Sequence, residues 1–192
     1  MNTFTLIKKD GTQIKTPYTV VDGVEMITGH FSRAEFDTGH EKNALFFEPS
    51  LLLLEHVRIK AGVPIEGSSG FRSSIKQKLI WNQYLADCKA QKIKPIPGTV
   101  ANPEKPFPHG TGAAFDLFRP ENMALANFIY LFRGSCRELN LPLCRIGWKD
   151  YANQPQIYRH SFIHVDLVFM LYTPYTEISN PHPTYWKAGV EW

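Results

Sequence analysis

Cysteine is scarce in this chain. Cys88, Cys136 and Cys144 are three among 192 residues, and no two stand at Cys-x-x-Cys spacing. An odd count without a framework argues against a disulfide-stapled secreted scaffold and for reduced thiols in a protein made in the cytoplasm. Excess charge is equally thin. A scattered net charge of +3 gives no footprint for nucleic acid, and Lys89, Lys92 and Lys94 read as the solvated end of a helix. Long apolar runs are missing as well. The most apolar stretch, Leu51 to Leu54, is far too short to span a bilayer, so no membrane insertion is expected. Met1 to Lys9 has neither an apolar segment nor a small-residue cleavage site, so no signal peptide is expected. There is no internal repeat and no low-complexity segment.

What remains is ordinary globular material, 43% hydrophobic and 20% charged, enough for one well-buried domain. Phe4-Thr5-Leu6-Ile7 and Ile14 flank the turn signal Lys9-Asp10-Gly11-Thr12, which predicts a hairpin over residues 3–16. Ser32 precedes Glu35 by three residues, the spacing of a capping box for a short helix. Pro49-Ser50 opens a helix ending at Gly62, with Leu51, Leu54, Val57 and Ile59 as its apolar stripe. Residues 64–70 read as a strand entering a Gly-rich turn. Ser73 or Ser74 caps the next helix, which runs to about Gln91 and carries Leu79, Ile80, Trp81, Tyr84 and Leu85. Pro95, Pro97, Pro103, Pro106 and Pro108 then impose a long loop. Beyond it come a strand from Ala113 to Phe118, a helix from Glu121 to Asn140, and strands at 143–148 and 161–169. Without regular β-α alternation, this order predicts an α+β domain: a small antiparallel sheet flanked by helices.

The chemistry concentrates at two places. His109-Gly110-Thr111-Gly112-Ala113-Ala114-Phe115-Asp116 supplies an imidazole and a carboxylate around a glycine hinge, and Phe162-Ile163-His164-Val165-Asp166-Leu167 supplies a second imidazole on a strand. Two His and one Asp form a three-ligand zinc set that leaves a fourth position for water. Side chains alternate along a strand, so Ala114 shares a face with Asp116, and His164 with Asp166. Gly112 permits the backbone path that brings His109 to the same point. His164 can then ligate while Asp166 stands behind it or beside the water. His30, His40, His56 and His182 have no ligand-like spacing. Trp148, Tyr151, Tyr158 and Trp186 suit either a groove or the core.

The His-x-x-Gly-x-Ala-x-Asp segment followed by His-Val-Asp resembles the M15 zinc D-Ala-D-Ala carboxypeptidases and related phage endolysins, whose fold is shared with the hedgehog signalling domain. His30-Phe31-Ser32-Arg33-Ala34-Glu35-Phe36 is similar to the family's opening, Gly70-Phe71-Arg72-Ser73-Ser74 to its Gly-aromatic-Arg-Ser turn, and Trp186-Lys187-Ala188-Gly189-Val190-Glu191-Trp192 to its ending. The resemblance thus covers residues 30–192 as the catalytic domain and leaves 1–29 as an N-terminal hairpin extension.

It implies a hedgehog/DD-peptidase-like fold, His109, Asp116 and His164 as zinc ligands, and metal-assisted hydrolysis of a peptidoglycan stem or cross-link peptide. It also implies that Arg72 points toward the substrate. The scissile bond, D-Ala-D-Ala or L-Ala-D-Glu, stays open. Ser161 stands where many members carry the acidic base, so Asp166 is the candidate base and His160 the alternative. Phe107 replaces a frequent Ser. A wall-cutting enzyme without an export signal fits phage-type release or a virion component. The reading from another class is a non-catalytic zinc module that binds wall or a protein partner. Oligomeric state and host have no signal in the sequence.

Overall fold

The computed structural model describes residues 2–37, 41, 43–95, 100–104, 107–147 and 162–171. Their architecture is α+β. The hairpin at the start consists of β1 (Thr3–Ile7) and β2 (Gln13–Pro17), with Leu6 opposite Ile14 and Gly11 at positive φ in the turn. A second hairpin follows, β3 (Thr19–Val21) and β4 (Val24–Met26), turning on Asp22-Gly23 with both residues at positive φ. That is the backbone an Asp-Gly two-residue turn favours.

Helix α1 (Arg33–Phe36) opens on Ser32, whose N–H donates to Glu35 Oε2 at 2.8 Å. The other oxygen of Glu35 accepts from Gly67 N–H at 3.0 Å and so fixes where the next strand begins. Strand β5 (Leu45–Phe47) pairs in parallel with β1, making the first sheet mixed, in the order β2-β1-β5. A purely antiparallel sheet was the expectation; this parallel pair departs from it. Through β5, Phe4 stacks edge-on against Phe46, and Phe4, Ile7 and Tyr18 are buried with the main core. The opening strand and Tyr18 are therefore woven into the body, while the β3–β4 hairpin stays largely exposed.

Helix α2 (Glu48–Ala61) has Pro at its first turn and ends at Gly62 in the left-handed conformation. Leu51, Leu53, Leu54 and Val57 face inward, but Ile59, expected on that stripe, is 62% exposed. Strand β6 (Gly67–Ser69) leads into α3 (Ser74–Ala90), where Ser73 Oγ accepts from Lys76 N–H at 3.2 Å. The buried face of α3 is Gln77, Tyr84 and Cys88 rather than Leu79 and Leu85. After β7 (Ala114–Phe118), α4 (Leu125–Glu138) starts later than predicted because Pro120 to Met123 close a turn. Strands β8 (Arg145–Gly147) and β9 (Phe162–Asp166) complete a four-stranded antiparallel sheet in the order β6-β7-β9-β8.

One face of that sheet builds the core. Phe115 and Leu117 from β7, Ile146 from β8, and Ile163 and Val165 from β9 are almost fully buried. Phe115 meets Phe36 edge-on at 4.7 Å and stacks with Phe46 at 6.4 Å. The alternate residues face the other way and carry the polar groups. A slip of one residue would exchange the two sets, so register is strongly specified. Among the described residues no helix is long and apolar enough to cross a membrane.

Candidate metal centre

On the second face the strand pairings write two adjacent rows. Ser69 opposes Asp116, Asp116 opposes His164, and His164 opposes Gly147. One step along, Asp166 lies between Ala114 and Arg145. Opposed residues on antiparallel strands share a face at close spacing, so the two imidazole- and carboxylate-bearing strands deliver Asp116, His164 and Asp166 together. Gly147 and Ala114 contribute almost no bulk beside them.

His109 arrives from a 3-10 turn, Pro108–Thr111, ahead of β7. The turn is clamped on both sides. Gly112 sits at φ 72°, and a Cβ there would lie 2.3 Å from the Leu45 carbonyl oxygen, so only glycine passes this close to β5. Phe47 N–H donates to the Gly112 carbonyl, and Ser50 Oγ donates to that of Ala113. Arg72 N–H donates to the His109 carbonyl at 3.2 Å, while His109 Nδ1 reaches the Gly70 carbonyl at 2.7 Å. Phe107 packs over Gly110.

A carbonyl oxygen only accepts, so His109 Nδ1 must carry the proton and Nε2 presents its lone pair. That lone pair faces Asp116 Oδ2 at 3.2 Å. His164 Nδ1 lies 2.9 Å from Asp116 Oδ1, and its Nε2 lies 3.1 Å from Asp166 Oδ2. Arg145 Nη2 sits 3.1 Å from the same Asp166 oxygen, and Val168 N–H donates to the other at 3.2 Å. The side chains of Asp116, His109 and His164 are all buried.

Burial, followed by the nearby Arg72 charge, pushes His109 down to about 4. At His164 burial works against the charged form too, but hydrogen bonds to Asp116 and Asp166 outweigh it and hold the ring up at about 9. Asp116, despite burial, is kept well below the usual carboxylate range by the charge and hydrogen bonds that His109 and His164 offer it when their facing nitrogens are protonated.

Among the described residues, His109, Asp116 and His164 are the one group whose potential ligand atoms converge, all within 4.8 Å of one another. This donor set fits a metal ion. Tetrahedral coordination at about 2.0–2.2 Å separates neighbouring ligand atoms by about 3.3–3.6 Å, and each imidazole already lies about that far from one oxygen of Asp116, 3.2 Å from Oδ2 for His109 and 2.9 Å from Oδ1 for His164. The neutral His109 lone pair and a carboxylate oxygen are two acceptors facing each other, an arrangement a cation between them relieves. Each imidazole is also held from behind, by the Gly70 carbonyl or by Asp166, as metal-bound histidines usually are.

The structure therefore brings together all three ligand candidates and Asp166. It also brings in Arg72, expected at the site, in an unexpected posture. Its Nη2 donates to Asp116 Oδ2 at 2.8 Å, its Nε to Ser69 Oγ at 2.8 Å, and its Nη1 to Gln77 Oε1 at 3.2 Å. His160, Ser161, Trp148, Tyr151, Tyr158, Trp186, His40 and His182 lie outside the described residues. His30 and His56 pair with Glu55 and Glu138. Arg145, Ser69, Gln77 and the Gly70 carbonyl escaped sequence reasoning. Arg145 alone left a signal, since it shares β8's face with Gly147 across from the His-x-Asp strand.

Comparison with protein-family models, with curated proteins and with solved structures finds no match to this chain.

Proposed function

We propose that this protein is a zinc-dependent peptidase acting on a peptidoglycan stem or cross-link peptide, of D-Ala-D-Ala carboxypeptidase or L-Ala-D-Glu endopeptidase type. The observation that carries the reading is the pair of imidazoles, each held from behind by an acceptor and each facing one buried carboxylate. The substrate class comes from the motif resemblance. His109 Nε2, Asp116 and His164 Nδ1 would hold the metal. A zinc bound there would supply Lewis-acid polarisation of a carbonyl and a water acidified toward neutral pH.

The chain's own groups do the rest. Asp166 has one oxygen on His164 and Arg145 and the other on Val168 N–H. It serves better to orient His164 than to accept a proton, which leaves the base to His160, the alternative the sequence offers, or to water alone. Arg72 spends three of its five N–H donors on Asp116, Ser69 and Gln77. Two remain for a substrate carboxylate or carbonyl.

The engagement of both cluster carboxylates favours a second reading, a non-catalytic zinc module with a wall-binding or virion structural role. Mass spectrometry of purified muropeptides incubated with zinc-loaded protein separates the two. We expect one zinc per chain, lost in His109→Ala and His164→Ala, and newly released amino termini in the digest. Zinc held with every muropeptide left intact would establish the module instead. Asp166→Asn is expected to weaken zinc binding about 10–100-fold, the scale of an outer carboxylate, and to regain turnover when zinc is saturating. Full zinc affinity with turnover lost would return the base to Asp166.

A further inference from the structure

Gln77 is fully buried on the inward face of α3, where an apolar residue would be the ordinary choice. Its side chain is used at both ends. Oε1 accepts from Arg72 Nη1 at 3.2 Å, and Nε2 donates to the Ala101 carbonyl at 2.7 Å. Chemistry settles the amide's orientation, because a guanidinium only donates and a carbonyl only accepts. Ala101 belongs to the proline-rich loop between α3 and the His109 turn. Arg72 in turn holds Asp116 Oδ2 and is braced by Ser69 Oγ. A continuous polar chain thus runs from the loop to a metal-ligand candidate.

We propose that Gln77 is a positioning residue that couples the proline-rich loop to the metal centre. Its amide seats Arg72 so that the guanidinium fixes Asp116, and the loop in turn seats the amide. The inference rests on the metal reading above for its consequence at Asp116, but the tether itself does not need a metal. Coupling of this kind is reciprocal: a loosened loop weakens metal binding, and bound metal steadies the loop.

Two substitutions separate the amide's ends. Gln77→Met keeps length and helix preference but removes both hydrogen bonds. Gln77→Glu keeps an acceptor for Arg72 while turning an oxygen toward the Ala101 carbonyl. The readouts are hydrogen exchange in peptides covering residues 100–104, with and without zinc, and zinc affinity by competition with a chelating dye. Loss of the tether should speed exchange about tenfold in both variants. Zinc affinity should fall about 3–10-fold in Gln77→Met, below the loss from removing a direct outer partner, and by a smaller factor in Gln77→Glu, which loosens the loop but still gives Arg72 an acceptor. Added zinc should slow exchange at 100–104 in the wild type and not in Gln77→Met.

Unchanged exchange and affinity in Gln77→Met would overturn the proposal, as would an equal loss of affinity in Gln77→Glu. Were Gln77→Met to fail to fold, the Gln77→Glu pattern alone would decide. A wild type that binds no zinc would defeat the metal reading. The tether would still stand or fall on zinc-free exchange, which both Gln77→Met and Arg72→Ala must accelerate.

Discussion

Without metal, a proton on His164 Nδ1 occupies the line between that nitrogen and Asp116 Oδ1, and a metal must displace it. Both nitrogens of His164 face carboxylate oxygens, which is why its pKa rises to about 9. A raised pKa contributes stability that is complete below the unfolded value near 6.5 and is lost as pH climbs through about 9. His109 and Asp116 have the opposite sign. Their contributions are present at neutral pH and are lost on acidification, that of His109 as pH falls from 6.5 through about 4.

Metal-free protein should thus lose up to about 3 kcal/mol between pH 6.5 and 9.5, or about 6–12 °C in Tm for a chain of this size. Metal-loaded protein should show no such fall. Calorimetry in buffers of different ionisation enthalpy should find about one proton released per metal bound at pH 7. An alkaline limb that is flat with and without metal would contradict the His164 assignment. The three ligand candidates and Asp166 are legible in the sequence because each stands in a short motif whose strand alternation assigns its face. Gln77 is not, since a polar residue in a helix reads as solvent-facing until the loop that buries it is placed.

Among the elements, β5 is a short strand with a large task. Leu45, Phe46 and Phe47 join the opening strand to the main sheet's core and press against the turn that carries His109. Gly112→Ala tests that contact. The left-handed backbone alone costs about 1–3 kcal/mol for a side chain, and the Cβ would also collide with the Leu45 carbonyl. We expect a Tm loss together with weakened metal binding, because the collision moves His109. Loss of stability with metal affinity intact would mean that the turn relaxes independently of the ligand.

The strands β7 and β9 are readable from apolar-polar alternation, and α2 from its Pro and Gly boundaries. Strand β5 is not, because three apolar residues running straight into a helix look like the helix's own beginning. The β3–β4 hairpin carries its signal in Asp22-Gly23 between valines. On α3 the expected stripe is displaced because burial there follows Gln77, Tyr84 and Cys88, one of which is polar.

Across the whole molecule, the resemblance sets residues 1–29 apart as a hairpin extension, and within that segment β1 pairs with β5 and places Phe4 and Ile7 in the core. Phe4→Ala should therefore cost about 3–5 kcal/mol, the usual loss for a buried phenylalanine, and removal of residues 1–29 should abolish cooperative unfolding. A truncated chain that melts as sharply as the whole would show that residues 1–29 are an extension the rest of the fold does not need. No local pattern reveals such long-range pairing, since the partners lie some forty residues apart and neither strand's composition names the other.

The strand order β6-β7-β9-β8 has a consequence in time. The last of these strands to be synthesised is an inner one, and β7 and β8 meet only through it. A chain emerging from the ribosome keeps two strand edges open and one imidazole missing until residue 166 has cleared the exit. During synthesis the centre therefore cannot assemble before β9 has emerged. Any chain interrupted before β9 carries His109 and Asp116 without the second histidine that makes them a site.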